Sequence, residues 1–485
     1  MNKQKLSALT LFILSSLLLN ACGGEAPAVD TTAPAETTPA ETEYVNPYGD
    51  NLPEKMDLGG YDFRVLIFDK GNIIGHNNAW RAWIDIDEQN GETLNDAAYA
   101  RNIEVEERLN VKISCIEQGG FGQTVPIVQS AVLAGDDMFD FVILQNDRTT
   151  VGSLLQEGML MDINTIDAID LSQPYYLQSV TDVFNIKGKQ FLLSGDGLCS
   201  LYSHSYIFTN MDLWNEYKLE DPYALVREGK WTFDKCFSIV KDTYKDLNGD
   251  STADKEDFWG ITGLPATITY CFHSGGGKMY EADDKGYSFP VASERNIAIV
   301  ERLVKELDNP DAFFGYANSS EYNQAFFAGR SIMFMSGSSI TTLRNAEFYA
   351  GLLPFPKYDE AQKEYYSILA GAIGGIPITV SDAETVGTIV EAYFSASARY
   401  LKPAFIQTYV EQKVLQDEGS QEMFDLIMNS GRHNFVDYVD PASQFGGYDV
   451  ITRLVSAGDT NLASTWASME ASVKENYAKF FAAME

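Results

Sequence analysis

Residues 92–115 read ETLNDAAYARNIEVEERLNVKISC and join a helix pattern directly to a strand pattern. The apolar side chains of the first part recur at helical spacing, which places them on one helix face. They are Leu94, Ala98, Val105 and Leu109. The β-branched stretch from Val111 to Cys115 has strand character. A helix leading straight into a strand is the repeating unit of an α/β fold.

The neighbouring segments extend this unit on both sides. A strand pattern, YDFRVLIF, occupies residues 61–68, and a helix pattern at about Val125–Leu133 precedes the strand FDFVIL at 139–144. Strand, helix, strand, helix, strand predicts right-handed crossovers and a parallel sheet with helices on both faces.

A second series of alternating patterns follows and predicts another α/β lobe. Its members are the strand at 205–210, the helix at about Phe233–Tyr244, the strand near Phe258–Ile261, the helices near Glu294–Leu307 and Tyr322–Ala328, and the strands SIMFMS (331–336), YAGLLPFP (349–356) and GAIGGIPI (371–378). The C-terminal third is mostly helical, and the absence of a short internal repeat argues against a solenoid or propeller.

The length and the net charge of the chain limit its possible folds and partners further. The chain has 485 residues, 45% of them hydrophobic, which exceeds what one core usually organises and predicts at least two lobes. With 35 Lys and Arg against 69 Asp and Glu, the net charge is −34. Such a charge repels the phosphate backbone and argues against nucleic acid as a partner.

The N-terminus has the order of a secretory signal. Lys3 and Lys5 precede the mostly apolar run Leu6–Leu19, which is too short for a membrane span. The run ends in LNACGG, which resembles a bacterial lipobox, although Asn20 is unusual there. A plain signal peptide would leave Cys22 unexplained, so residues 1–22 are expected to be a lipoprotein signal and Cys22 the lipidated residue. The protein is then anchored at the extracellular face of the bacterial cell membrane.

Residues 23–57 are rich in Thr, Pro, Ala and Glu and are expected to form a disordered tether. The other cysteines show no CxxC spacing, so no zinc site is expected among them. These are Cys115, Cys199, Cys236 and Cys271. Disulfides are permitted outside the cell, and their pairing stays open.

Several stretches, taken in order from about residue 55 to the C-terminus, resemble the family 1 extracellular solute-binding proteins of bacterial ABC importers. They are GETLNDAAYARNIEVEERLNVKI (91–113), SYIFTNMDLWNEYKL (205–219), GKWTFDKCFSIVKD (229–242), FFAGRSIMFMSGS (326–338) and GLLPFPKYDEAQKEYY (351–366). The resemblance implies an α/β, two-lobe periplasmic-binding-protein-like fold of type II, with a ligand cleft between lobes that close on the ligand. It also implies a monomer that delivers a small ligand, often a mono- or oligosaccharide, to permease subunits.

The expected division of the chain follows from this resemblance. Lobe 1 takes residues 58–172 and about 339–385, and lobe 2 takes 173–338 and about 386–485, with linkers near Leu171–Tyr176 and Ser336–Ser339.

Ligands of open α/β sheets bind beyond the carboxyl ends of strands, which directs attention to the loops there. Gln145, Asn146 and Asp147 follow the strand FVIL and could hydrogen-bond sugar hydroxyls, or else simply cap the strand. Trp80 and Trp83, in GHNNAWRAW (75–83), could stack on the apolar face of a pyranose.

A third candidate segment is TYCFHSGGGKMY (269–280), where Tyr270, Phe272 and His273 lie beside glycines that allow close backbone approach. A mobile surface loop is the alternative. Trp231, before the plausible N-cap Thr232, and Trp259, in a predicted strand, are expected in the core, whereas Trp466 and Tyr202 are undecided.

The stretch DLNGDSTADKED (246–257) places oxygen-bearing groups at the spacing of an EF-hand type calcium loop. The ligands would be Asp246, Asn248, Asp250, the Thr252 carbonyl, Asp254 and Asp257. Ser251 replaces the usual turning glycine, and the closing Asp is shorter than Glu. Structural calcium is the hypothesis, and a solvated Asx-rich turn is the alternative.

The sequence contains little that resembles a known catalytic motif. The four histidines show no HExxH spacing, no GxSxG elbow appears, and GGGKM (275–279) lacks the rest of a P-loop. We therefore expect a binding protein and not an enzyme. A secreted glycoside hydrolase, which needs only two placed carboxylates, and a sensory or adhesive lipoprotein without a transporter stay open as alternatives.

Overall fold

The computed structural model describes residues 46–67, 84, 86, 88–117, 123–144, 150–198, 204–263, 267–283, 286–307, 311–314, 321–336, 343, 346–369, 372–407, 417–440 and 447–484. The N-terminal part contains β1 (Tyr61–Ile67), α1 (Thr93–Leu109), β2 (Val111–Glu117), α2 (Thr124–Ala134), β3 (Phe141–Leu144), α3 (Thr150–Gln156), α4 (Gln178–Phe184), β4 (Asn185–Ile186) and β5 (Lys189–Gln190). The middle contains β6 (Tyr206–Asn210), α5 (Met211–Glu216), α6 (Pro222–Arg227), α7 (Phe233–Ile239), β7 (Trp259–Gly263), α8 (Thr267–Ser274), β8 (Glu281–Asp283), β9 (Gly286–Ser288), α9 (Glu294–Leu307), β10 (Ala312–Phe314), α10 (Glu321–Phe327), β11 (Ser331–Ser336) and β12 (Ala350–Leu353). The remainder contains β13 (Ser367–Ile368), β14 (Ile373–Gly375), α11 (Ala383–Phe405), α12 (Glu418–Asn429), β15 (Gly431–Arg432), α13 (Phe435–Tyr438), α14 (Gly447–Ser456) and α15 (Leu462–Ala483).

The smaller of the two main sheets has the order β2-β1-β3-β14. β1 pairs in parallel with β2 and with β3, as the sequence predicts. β14 lies within the strand predicted at 371–378, but its antiparallel pairing at the edge of this sheet was not predicted. The four apolar residues predicted to share one face of α1 are all buried. α1 packs mainly against α11, so the amphipathic pattern of α1 is explained by this helix pair.

The larger sheet has the order β10-β7-β11-β6-β12 and confirms the second α/β series. β7, β10 and β11 run in parallel, whereas β6 is antiparallel to both β11 and β12. Trp231 is fully buried and Trp259 nearly so, as expected, and the Thr232 side chain caps α7 by accepting from the Lys235 amide. Trp466 is also buried.

α7 ends at Ile239, five residues before the predicted end at Tyr244. The carboxylate of Asp311 accepts from the Asp242 and Tyr244 amides at 2.6 and 2.8 Å, and Asp242 adopts a φ of 61°. Both amides are therefore bonded to a distant side chain instead of a helical carbonyl.

The chain passes between the two sheets along paired segments. It leaves the smaller sheet after β3, enters the larger at β6, and returns between β12 and β14. Antiparallel bridges join Leu193 to Gly374 and His204 to Leu369, so the outgoing and returning passages run side by side.

Three details of the expected division differ from the structure. Tyr175 and Tyr176, placed in a linker, are buried against α11 in the core of the smaller sheet. β12, placed in lobe 1, pairs with β6 in the larger sheet, and α11, placed mostly in lobe 2, packs on α1. Which sheet a short strand or helix joins depends on distant partners, which local patterns do not contain. The remaining lobe boundaries stay a prediction.

Residues 46–57, expected to be tether, are folded onto α1 and α11. The Asp50 carboxylate accepts from Arg108 Nη1 and Nη2 at 2.7 and 2.8 Å in a buried ion pair. The Arg108 guanidinium lies 3.9 Å from the centre of the Tyr48 ring, and Arg399 Nε donates to the Tyr48 carbonyl at 2.9 Å. Within the described ranges, the helices include none with the length and apolarity needed to cross a membrane.

Candidate functional site

The edge formed by the carboxyl ends of β1 and β3 is the expected ligand-binding edge of the smaller sheet. β1 ends at Ile67 and β3 at Leu144, both buried. The residues that follow, including the predicted contacts Trp80, Trp83, Gln145, Asn146 and Asp147, lie outside the described residues, as do Cys22, Cys199 and Tyr202. Their roles stay predictions. The described cysteines Cys236 and Cys271 are free thiols.

The segment predicted to contribute Tyr270, Phe272 and His273 is helix α8 and not a mobile loop. Phe272 is fully buried, and a Cβ added to Gly277 would come within 2.6 Å of its ring. Phe272 therefore presents no surface to a ligand in this conformation. Tyr270 is half-buried and contacts Phe355 edge-on, with ring centres 5.8 Å apart.

His273 is held by both ring nitrogens. Its Nδ1 lies 3.3 Å from the Gly277 carbonyl oxygen, and its Nε2 lies 3.2 Å from Asn434 Nδ2. Burial lowers the pKa of His273, although the Asp437 carboxylate, 3.9 Å away, opposes the shift.

Two further buried histidines lie close to the paired passages. His204 Nδ1 is 3.4 Å from Ser367 Oγ, and His433 Nδ1 is 2.9 Å from Ser179 Oγ. Burial lowers the pKa of each to about 3, so both imidazoles are neutral near pH 7. A Ser-His pair acts as a nucleophile when a third group orients the base, but the second nitrogen of His433 has no hydrogen-bond partner. The geometry does not form a Ser-His-Asp triad.

A pocket of about 860 Å³, here called the hairpin pocket, lies between the β4–β5 and β8–β9 hairpins. Its lining residues are Asp182, Val183, Asn185–Gly188, Tyr280–Ala282, Gly286, Tyr287, His433–Phe435 and Phe481. The β8–β9 hairpin is anchored by the buried Asn296, whose Nδ2 donates to the Lys278 and Pro290 carbonyls at 2.7 and 3.0 Å. No sequence pattern predicts this pocket, because its walls come from four segments that are far apart in the chain.

The acidic loop 246–257 folds as a series of side-chain-capped turns. Asp246 accepts from the Gly249 and Ser251 amides at 2.6 and 3.0 Å, and Ser251 has a φ of 63°. Asp257 is fully buried and accepts from the Leu247 amide at 3.1 Å and the Tyr244 hydroxyl at 2.9 Å. Among the described residues, no three His, Cys, Asp or Glu side chains gather so that they could hold a metal ion.

A family model described as bacterial extracellular solute-binding protein matches residues 99–389, more than half of the chain. The chain belongs to the bacterial extracellular solute-binding proteins. No curated protein matches the sequence.

Solved structures place this solute-binding protein in the two-lobe, type II fold. An ABC substrate-binding protein from Listeria monocytogenes, in complex with cycloalternan, has 15% identity and a TM-score of 0.51, with 84% of this chain and 99% of that chain covered. A cyclo/maltodextrin-binding protein complexed with maltotetraose has 13% identity and a TM-score of 0.55, covering 86% and 96%. UgpB from Mycobacterium tuberculosis, in complex with glycerophosphocholine, has 14% identity and a TM-score of 0.51, covering 87% and 99%. At these identities the likeness shows the fold alone.

Proposed function

We propose that this solute-binding protein is lipid-anchored through Cys22, captures a mono- or oligosaccharide between its lobes, and delivers it to the permease of an ABC importer. The observation that carries the proposal is the pair of antiparallel passages joining the two sheets. Two lobes linked in this way can change their separation without unfolding either sheet.

The proposed mechanism of delivery is closure of the two lobes on the ligand. A ligand that contacts both lobes binds the closed form more tightly than the open one, and this difference in affinity shifts the population toward closure. The permease then recognises the closed form. No chemistry on the ligand is required, and the protein is proposed to release its ligand unchanged.

Carbohydrate is favoured as the ligand class for two reasons. Structural neighbours are complexed with cycloalternan and maltotetraose, and Trp80 and Trp83 could supply the aromatic surface on which pyranose rings stack. The glycerophosphocholine complex of UgpB is the opposing example. Its ligand is a zwitterion, so the net charge of −34, which disfavours an anionic ligand, does not decide against it.

A thermal-shift screen against monosaccharides, oligosaccharides, amino acids, peptides and glycerophosphocholine tests this function. A ligand at about one hundred times its Kd stabilises by about 2.7 kcal/mol, which moves the melting midpoint by several degrees. We expect a shift with one sugar series and no cleavage product after overnight incubation. A shift only with another class would overturn carbohydrate capture, and a cleaved sugar would indicate a glycoside hydrolase.

The lipid anchor needs a separate test. Metabolic labelling with a fatty acid should mark the wild-type protein in membranes, whereas Cys22→Ser should be unlabelled and recovered outside the cell. Equal labelling of both would contradict the assignment of Cys22. Permease genes beside this one would separate an importer subunit from a sensory or adhesive lipoprotein.

A further inference from the structure

The hairpin pocket contains a buried polar atom that the proposed function does not use. His433 is 4% exposed, its Nδ1 contacts Ser179 Oγ at 2.9 Å, and its Nε2 is buried without a hydrogen-bond partner. A buried polar atom left unpaired costs about 1–3 kcal/mol, and most such atoms in proteins are satisfied by protein, water or ligand. His433 also lines the hairpin pocket, but Nε2 itself is covered, so an occupant of the pocket reaches it only after a small side-chain movement.

The pocket lies away from the edge at which the cleft is expected. Antiparallel pairing sets Ile373 beside Leu144, at the carboxyl end of β3, and Leu193 is bridged to Gly374. Going back along the chain from Leu193, the segment runs toward the amino end of β3 and reaches the β4–β5 hairpin. This wall of the pocket therefore lies toward the end of the smaller sheet that is opposite to the expected cleft.

The lining favours a neutral, hydroxylated ring. Tyr287 is 36% exposed and its ring lies 4.4 Å from that of Phe481, so it offers a supported aromatic surface. Aromatic rings of this kind stack on the apolar faces of sugars. Asn185 and Asn434 add amide groups, and the carboxylates of Asp182 and Glu281 outnumber the ammonium group of Lys187 in the lining, which disfavours an anion.

We propose that the hairpin pocket is a second ligand site, for a pyranose or cyclic polyol that stacks on Tyr287 and hydrogen-bonds His433 Nε2 once a side-chain movement uncovers that atom. A hydroxyl group suits Nε2 in either imidazole tautomer because it can donate or accept. The walls come from the β4–β5 hairpin, which is bonded to the smaller-sheet segment at Asp162, and from the β8–β9 hairpin, which is anchored on α9. An occupant therefore favours conformations that keep these walls at their present separation.

Imidazole nitrogen spectroscopy tests the proposal directly, since the protein has only four histidines. In ¹⁵N-labelled protein, methyl α-D-glucopyranoside, methyl β-D-galactopyranoside and myo-inositol are titrated, with D-glucuronate as the charged control. We expect at least one neutral probe to shift the His433 Nε2 signal, and glucuronate to leave it in place. No shift with any neutral probe would overturn the proposal.

Matched variants test whether a shift of the His433 signal comes from direct contact with the probe. Tyr287→Ala, on the surface, should weaken probe binding by about tenfold or more, because the stacking surface is lost. His433→Phe should abolish binding, and Ser179→Ala, which removes only the Nδ1 partner, should retain it. Unchanged affinity in Tyr287→Ala would refute the site even if His433→Phe failed to fold.

The same variants distinguish ligand binding in the cleft from ligand binding in the hairpin pocket. A cleft ligand found by thermal shift should stabilise Tyr287→Ala as much as wild type. A probe that binds at His433 when no cleft ligand is found would contradict only the cleft proposal. A cleft ligand without any signal at His433 would contradict only the second site.

Discussion

Glu391 in α11 is a fully buried carboxyl group. It accepts from the Tyr175 and Tyr176 hydroxyls at 2.5 and 2.7 Å and from the Asp170 amide at 3.3 Å. Burial raises the pKa of Glu391 to about 6 from its usual 4.5, although these hydrogen bonds oppose the shift. Because the folded-state pKa is raised, the stabilisation is complete below pH 4.5 and is lost as pH rises through about 6.

Glu391→Gln should therefore flatten the pH dependence of stability. The raised pKa corresponds to about 2 kcal/mol, which the wild-type protein loses between about pH 4.5 and 7 and the variant does not. Urea unfolding at the two pH values measures this difference. Tyr175→Phe is the matched control: it removes a donor to the carboxylate, so it should enlarge the wild-type loss. An unchanged pH dependence in Glu391→Gln would show that the carboxyl does not titrate in this range.

At the scale of single elements, the loop 246–257 has the ligand spacing of a calcium loop, although its acidic side chains do not gather around a metal site in this conformation, and we propose that it binds structural calcium. Ser251 takes the left-handed conformation expected of the turning residue, and Asp246 accepts from the Ser251 amide, so the missing glycine is no obstacle. The hydrogen bonds of Asp257, by contrast, stabilise the turn whether or not a metal is present.

Two substitutions separate these roles. Asp250→Ala, at an exposed position, should abolish calcium binding measured by calorimetry and remove the rise in melting temperature that calcium produces, with little effect in chelator. Asp257→Ala should lower stability by about 1 kcal/mol even in chelator, because it removes the hydrogen bonds that the buried carboxylate accepts from the Leu247 amide and the Tyr244 hydroxyl. If calcium binds with equal affinity to wild type and Asp250→Ala, or not at all, the loop is an Asx-rich turn only.

At the scale of the whole molecule, the two sheets should approach each other when the cleft is filled. Small-angle scattering of the protein with the sugar identified by thermal shift should show a smaller radius of gyration than without it, because the ligand favours the closed population. A sugar that gives no thermal shift serves as the control. An unchanged radius with a saturating ligand would contradict closure as the signal to the permease.

Local patterns predicted the parts of this molecule that depend on neighbouring residues. Leu94, Ala98, Val105 and Leu109 are all buried because helical spacing places them on one face of α1. The strand containing β14 was predicted at 371–378, but its antiparallel pairing with β3 and the packing of α11 on α1 were not, because they depend on segments hundreds of residues away. For the same reason no pattern predicts the contact of His433 with Ser179, 254 positions apart.

The N-terminal segment determines where tension from a membrane anchor enters the molecule. Tyr48 and Asp50 are bound to Arg108 of α1, and Tyr48 also to Arg399 of α11. Arg108 lies at the end of α1 that packs in the core of the smaller sheet, so a pull on the chain before Asn46 reaches that sheet first, although the opposite end of α1 and the end of α11 contact the larger sheet. If Cys22 carries the anchor, the smaller sheet is held near the membrane, and the larger sheet moves relative to it when the lobes close.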